Sequence, residues 1–159
     1  MLLCVYNTII QSVMDYALTV WGNTSKGNVK ALQSIQNRCA RILCNNYDLN
    51  VRSRDLLHQL KILDVNQRIK YLQGVLMFKC MHNVAPYYMC DMFTQMSSIH
   101  SHHTRNNLLQ IPMCHTSHMK RSFAHSGATL WNSLPANFKC ASSLYMFKDL
   151  LRCHAAHHF

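Results

Sequence analysis

Glutamate is absent from this sequence, and acidic residues as a class are scarce. Six Asp stand against sixteen Lys and Arg, which gives a formal net charge of +10 at neutral pH. Helices without Glu leave most of their basic side chains without an acidic neighbour one turn away. The excess of positive charge favours a polyanionic partner, either nucleic acid or an anionic membrane surface.

Long apolar runs are also missing, which argues against a membrane partner. A membrane-spanning helix needs about eighteen or more apolar residues, and polar side chains from Asn7 to Asp15 interrupt the apolar start of the chain. The same stretch lacks the basic start and the small-residue cleavage site of a signal peptide. We therefore expect no membrane partner, a location in the nucleus or cytoplasm, and eight reduced cysteines.

Catalytic motifs are equally scarce. The six Asp occur singly rather than clustered, whereas two-metal phosphoryl transfer requires grouped carboxylates. The four glycines form no phosphate-binding loop. We expect no enzymatic activity, no cofactor and no small-molecule substrate.

Histidine and cysteine are abundant, but their spacing does not define a metal site. There is no Cys-x-x-Cys pair, and the His and Cys residues gather in three loose clusters at 100–103, 114–118 and 153–158. A structural zinc site needs four ligands, usually as two tightly spaced pairs. We expect no metal, and a metal-dependent fold stays open as a minor alternative.

Hydrophobic periodicity predicts a mainly helical fold. The expected helices cover residues 1–21, 26–44, 52–60, 65–82, 87–93, 126–134 and 144–152. Composition then suggests three regions: a helical bundle at 1–94, an exposed linker at 95–107, and a small α+β lobe at 108–159. In that lobe, residues 108–113 and 119–123 could pair as one short β-hairpin, and the last residues from 154 should fray.

The predicted helix at 26–44 has the clearest two-sided pattern. Its apolar face consists of Val29, Leu32, Ile35, Cys39, Ile42 and Leu43. The opposite face, which we call the basic stripe, consists of Lys26, Lys30, Ser34, Asn37, Arg38 and Arg41. Cations and hydrogen-bond donors spaced along a rigid helix suit the phosphates of a nucleic acid. A solvated helix face explains the same pattern, and the sequence leaves both interpretations open. Lys120 and Arg121 form a second, weaker candidate group.

Several segments of the chain, in order, resemble one family. The first are IIQSVMDYA at 9–17 with VWG at 20–22, then LQSIQNRCARI at 32–42, followed by QRI, MFK and APYY between 67 and 88. The most specific is KRSFAHSGATLWNSLP at 120–135, followed by Phe147-Lys148. Together they resemble the region after the polymerase domain in non-LTR (LINE-type) retrotransposons of the Jockey and chicken-repeat lineages. The resemblance spans nearly the whole chain.

This resemblance implies a fragment of a reverse transcriptase rather than a complete enzyme. The parent polyprotein would be an RNA-directed DNA polymerase, but its paired-Asp active site would lie upstream, and Asp15 is not part of such a motif. The first helices would correspond to thumb-like elements that hold a primer–template duplex. The rest would help bind element RNA or target DNA, beside the missing upstream polymerase domain. The competing interpretation is an inert or domesticated helical module that contacts only proteins.

Overall fold

A computed structural model describes residues 1–96 and 108–158 of the chain, with only the backbone described at 156–158. The fold is mainly α-helical, as the sequence predicts. The chain divides into two compact units, Met1–Ile69 and Lys70–Phe159. The boundary therefore falls inside a helix rather than at the expected linker, 95–107, most of which lies outside the described residues. Residues 75–93 share a hydrophobic core with residues 109–151, and the expected regions 1–94 and 108–159 stay a prediction.

The first unit begins with three consecutive helical segments. These are α1 (Leu2–Val5), a π-helical segment (Tyr6–Gln11) and α2 (Ser12–Asp15). The helix then breaks and restarts as α3 (Leu18–Trp21). The prediction of one helix over 1–21 was wrong at this point. Ala17 takes a left-handed conformation with φ 50°, and the Trp21 indole nitrogen donates to the Tyr16 carbonyl at 2.7 Å, which stabilises the break.

The helix α4 (Lys26–Leu43) matches its predicted bounds closely. Ser25 caps it, since the Ser25 hydroxyl oxygen accepts from the Asn28 amide at 3.4 Å. A loop leads to α5 (Ser53–Gln59). Ala40 of α4 packs with Leu56 and Leu57 of α5 to form a small hydrophobic cluster in this unit.

The long helix α6 (Val65–Met81) crosses the boundary between the units. Asp64 and Gln67 form a reciprocal cap at its start: the Gln67 amide donates to Asp64 Oδ1 at 2.8 Å, and the Asp64 amide donates to Gln67 Oε1 at 3.0 Å. The second half of α6 is buried on most sides, with Met77 and Phe78 almost fully enclosed. The nearly all-apolar residues 75–78, 80 and 81 predict a central, buried helix, and the structure confirms this.

The second unit is built around that half of α6. Its other helices are α7 (Tyr87–Cys90), α8 (Ser117–Arg121), α9 (Phe123–Ser133), α10 (Ala136–Lys139) and α11 (Leu144–His158). Phe147 of α11 stacks on Phe78 with ring centroids 4.5 Å apart. Close helix contact at Gly74 depends on the missing side chain, because a Cβ there would lie 2.6 Å from Leu151 Cδ2.

The predicted β-hairpin at 108–123 was wrong. Residues 117–121 are helical, and within the described ranges residues 108–113 contribute only one isolated bridge, between Gln95 and Leu109. The Asn132 side chain makes the backbone hydrogen bonds with Leu109 that a neighbouring strand would otherwise make. Its amide oxygen accepts from the Leu109 amide at 2.9 Å, and its nitrogen donates to the Leu109 carbonyl at 2.8 Å.

The chain end is also more ordered than predicted. The helix α11 continues to His158, whereas fraying was expected from His154. Ala155 is fully buried, and the His154 ring packs edge-on against Phe138 at 5.2 Å. These contacts hold the last turns against the second unit.

Candidate nucleic-acid interface

Three cations of the basic stripe lie exposed on α4: Lys26, Lys30 and Arg38. Their side chains make no hydrogen bond or ion pair with any residue in 1–96 or 108–158. Ser34 is exposed between Lys30 and Arg38. Because each of these residues follows the previous one by four positions, they form a ladder that winds slowly around the helix.

The length of this ladder suits a sugar-phosphate backbone. Lys26 and Arg38 are twelve residues apart, so a rise of 1.5 Å per residue places them roughly 18 Å apart along the axis. Phosphates on one strand of B-DNA follow one another about every 3.4 Å of helix axis. Measured along the DNA axis, this length corresponds to about five phosphate spacings of one strand, so the three exposed cations are far enough apart to contact different phosphates.

Arg41 does not belong with the exposed cations, although the sequence placed it in the basic stripe. Its guanidinium donates to the Asp48 carbonyl at 2.6 Å, to the Val51 carbonyl at 2.9 Å and to the Ser53 hydroxyl at 3.4 Å. Arg41 is half-buried, and it fixes the loop between α4 and α5. We therefore assign it a structural role.

Replacing Arg41 with Ala should lower the free energy of unfolding by about 1–3 kcal/mol, because three acceptors would lose a charged donor. The same change should leave the salt dependence of nucleic-acid binding unaltered. Urea denaturation and a binding titration on one variant would measure both. If Arg41→Ala instead reduced the salt dependence of nucleic-acid binding and left stability unchanged, Arg41 would belong to the binding face.

Asn37 is half-buried, and its side chain joins a polar network along α4. Its side-chain oxygen accepts from Gln33 Nε2 at 2.9 Å, and the same nitrogen donates to Gln36 Oε1 at 3.0 Å. Gln36 Nε2 donates in turn to the Tyr6 hydroxyl at 3.2 Å and to the Leu63 carbonyl at 3.0 Å. Asn37 therefore uses its side-chain oxygen to stabilise α4.

The face of α4 that is buried differs from the apolar face that the sequence predicts. Gln36 is 1% exposed, whereas the apolar Ile35 and Ile42 are 50% and 51% exposed. The inward face is centred on Val29, Gln36 and Ala40. The apolar pattern of the sequence did not predict that Gln36 is buried. A polar side chain is buried when it has hydrogen-bond partners, and the partners of Gln36 are not visible in the sequence around it.

At the other end of the network, Asp15 is enclosed by donors. Gln11 Nε2 donates to Asp15 Oδ1 at 2.8 Å, and Arg68 donates to both carboxylate oxygens at 3.0 and 2.6 Å. The Tyr6 hydroxyl donates to Gln11 at 2.9 Å, and burial raises the pKa of Tyr6 while the Gln36 hydrogen bond opposes the shift. The adjoining cavity measures about 10 Å³, space for about one water molecule, which is too small for an organic ligand.

Lys120 and Arg121 are exposed in the last turn of α8, which is a helix and not the expected strand. They belong to the second unit, whereas the basic stripe belongs to the first. Adjacent residues on a helix point about 100° apart, so these two cations do not share one face.

Other Asp side chains also serve the fold. Asp48 accepts from the Asn50 amide and from the Asn50 side chain, both at 2.9 Å. Asp64 caps α6 as described above. With Asp15 paired to Arg68, these three carboxylates have local structural roles.

The histidine clusters do not converge in the parts of the chain that the structure covers. No group of three or more His, Cys or Asp side chains there is placed to hold a metal ion. Cys114, His115 and His118 lie in or before α8, with both histidines exposed. The cluster at 100–103 lies outside the described residues.

Comparisons with known proteins identify no relative. No family model, no curated protein and no solved structure matches this chain. Among the helices that the structure describes, none has the length and apolarity needed to cross a membrane.

Proposed function

We propose that this chain binds nucleic acid through the phosphate backbone, using the exposed cations Lys26, Lys30 and Arg38 of α4. The observation that carries the proposal is the absence of any partner for these three side chains within the described residues. A helix that kept its cations only for solubility would ordinarily offset some of them with acidic neighbours. The net charge of +10 adds a long-range attraction for a polyanion.

The binding should depend on backbone charge and not on base sequence. Lysine contacts phosphate as a point charge, and such contacts position a protein on nucleic acid without reading bases. The candidate partner is therefore RNA or DNA of any sequence. The resemblance to the region after the polymerase domain of non-LTR retrotransposons supports the same role, and under this proposal the chain would act beside a polymerase domain.

We also propose that the chain has no catalytic activity of its own. Asp15, Asp48 and Asp64 each accept hydrogen bonds that stabilise local structure. Two-metal phosphoryl transfer needs clustered carboxylates that are available to metal ions. The function we assign is binding alone.

The double substitution Lys30→Ala with Arg38→Ala tests this assignment. It should weaken binding to a short duplex by roughly 10- to 100-fold near 0.1 M salt, since two phosphate contacts and their released counterions are lost. Fluorescence anisotropy with length-matched DNA and RNA duplexes would measure the affinity.

The matched control is Lys148→Ala with Arg152→Ala, which removes one Lys and one Arg from exposed positions on α11. This control should bind within about twofold of the unaltered chain. Equal losses in both double variants would mean that net charge alone drives binding. No measurable binding by the unaltered chain would support the inert or protein-binding alternative.

A further inference from the structure

Two of the free cysteines meet where α6 is followed by α7. Cys80 lies in the last turn of α6 and is 2% exposed, whereas Cys90 ends α7 and is half-buried. A side-chain hydrogen bond joins the two thiols. The two sulfurs are therefore neighbours within the second unit, apart from the exposed cations of the first.

The backbone between the two cysteines holds this arrangement. The Val84 and Ala85 amides both donate to the Lys79 carbonyl, at 2.8 and 3.2 Å, so the chain folds back over the end of α6. The Cys90 thiol donates to the Ala85 carbonyl at 3.5 Å. These contacts keep Cys90 beside the turn of α6 that carries Cys80.

Burial gives the two thiols different roles. It raises the pKa of Cys80 to about 11, so this thiol stays protonated near neutral pH and is a poor nucleophile towards an oxidant. Cys90 is the member of the pair that solvent reaches. In redox-sensing pairs an accessible sulfur is oxidised first, and a neighbouring cysteine then resolves it.

From this placement we propose that Cys90 and Cys80 form a reversible disulfide when the chain meets a peroxide. The Cys90 thiolate attacks one peroxide oxygen, the O–O bond breaks, and Cys90 becomes a sulfenic acid while hydroxide leaves. The Cys80 sulfur then attacks the Cys90 sulfur, the S–O bond breaks, and the departing hydroxide takes the Cys80 proton. For hydrogen peroxide, two thiols lose two electrons in total and one peroxide becomes two waters.

The disulfide would fasten α7 to α6. The helix α7 is a single turn, and none of its residues is buried. Segments with few buried contacts open readily in the native state. A covalent bond from Cys90 to the buried Cys80 opposes this opening, so amide hydrogen exchange in α7 should slow on oxidation and recover on reduction.

Tryptic mass spectrometry tests the pairing on the full chain. Cleavage after Lys79 and Arg105 yields one peptide that carries Cys80, Cys90 and no other cysteine. The folded chain is treated with hydrogen peroxide and then alkylated in urea. This peptide should then carry no alkyl tag, and it should be lighter than its reduced, untagged form by the two hydrogen atoms that were lost. Dithiothreitol added before alkylation should restore both tags.

Two variants decide whether the pairing is specific. Cys90→Ser should leave Cys80 open to alkylation after the same treatment, because a buried thiol is shielded from the oxidant. Cys114→Ser is the matched control and should leave the pairing unchanged. Cys114 is also half-buried, and its thiol also donates to a backbone carbonyl, that of Pro112 at 3.4 Å.

Three results would overturn the proposal. The first is a peptide in which Cys90 gains oxygen atoms while Cys80 stays open to alkylation, since oxidation would then pass the sulfenic acid without pairing. The second is a mixture in which Cys80 pairs with several other cysteines. The third is a disulfide that leaves hydrogen exchange in α7 unchanged, which would contradict the fastening of α7.

Discussion

Replacing Phe147 with Ala should lower the free energy of unfolding by about 3–5 kcal/mol. Phe147 is fully buried, it stacks on Phe78 with centroids 4.5 Å apart, and its centroid lies 6.2 Å from that of Trp131. Those rings belong to α6 and α9, so one side chain of α11 joins three helices of the second unit. The loss would be a large share of the roughly 5–15 kcal/mol that stabilises a typical domain.

Urea denaturation followed by circular dichroism would measure this loss. The control is Tyr145→Ala, two residues earlier on the same helix, where the side chain is 80% exposed. This substitution should change stability by less than about 0.5 kcal/mol. Similar losses in the two variants would contradict the placement of α11 against α6.

Replacing Gln36 with Leu should cost about 2–4 kcal/mol, although the change makes the side chain more apolar. The substitution leaves the Tyr6 hydroxyl, the Leu63 carbonyl and the Gln33 amide each short of one hydrogen bond in the interior of the first unit. Each unsatisfied buried group costs about 1–3 kcal/mol. Relaxation and residual hydrogen bonds keep the total below the simple sum.

Two comparisons make this prediction specific. Gln59→Leu, at an exposed position on α5, should be close to neutral. Ile35→Ala should cost less than Gln36→Leu, because Ile35 is half exposed. The apolar pattern of the sequence predicts the reverse order for positions 35 and 36, so denaturation of both variants would decide which face of α4 is buried.

Helix boundaries marked by local chemistry were predictable from the sequence. Ser25 caps α4, and Asp64 with Gln67 caps α6, at the positions that capping preferences indicate. The burial of Met77 and Phe78 also followed from the nearly continuous apolar half of α6. These features depend on residues that are close together in the chain.

Features that depend on hydrogen bonds from a side chain to the backbone were missed. No glycine or proline at Ala17 indicates a helix break in the sequence. The break is stabilised by the hydrogen bond from the Trp21 indole to the Tyr16 carbonyl. Asn132 replaces a partner strand for Leu109 from twenty-three residues away. Arg41 looked like a surface cation until its loop acceptors were placed beside it. In each case a side-chain hydrogen bond to the backbone overrides the local pattern.

The salt dependence of nucleic-acid binding tests the account of α4 most directly. If Lys26, Lys30 and Arg38 each neutralise one phosphate, they should contribute a slope of about −2.7 to log affinity against log salt, at roughly −0.9 per contact. Lys30→Ala with Arg38→Ala should flatten the measured slope by about 1.8, and Lys148→Ala with Arg152→Ala should leave it unchanged. A slope that the first pair does not alter, or that both pairs flatten equally, would contradict the assignment of this helix face.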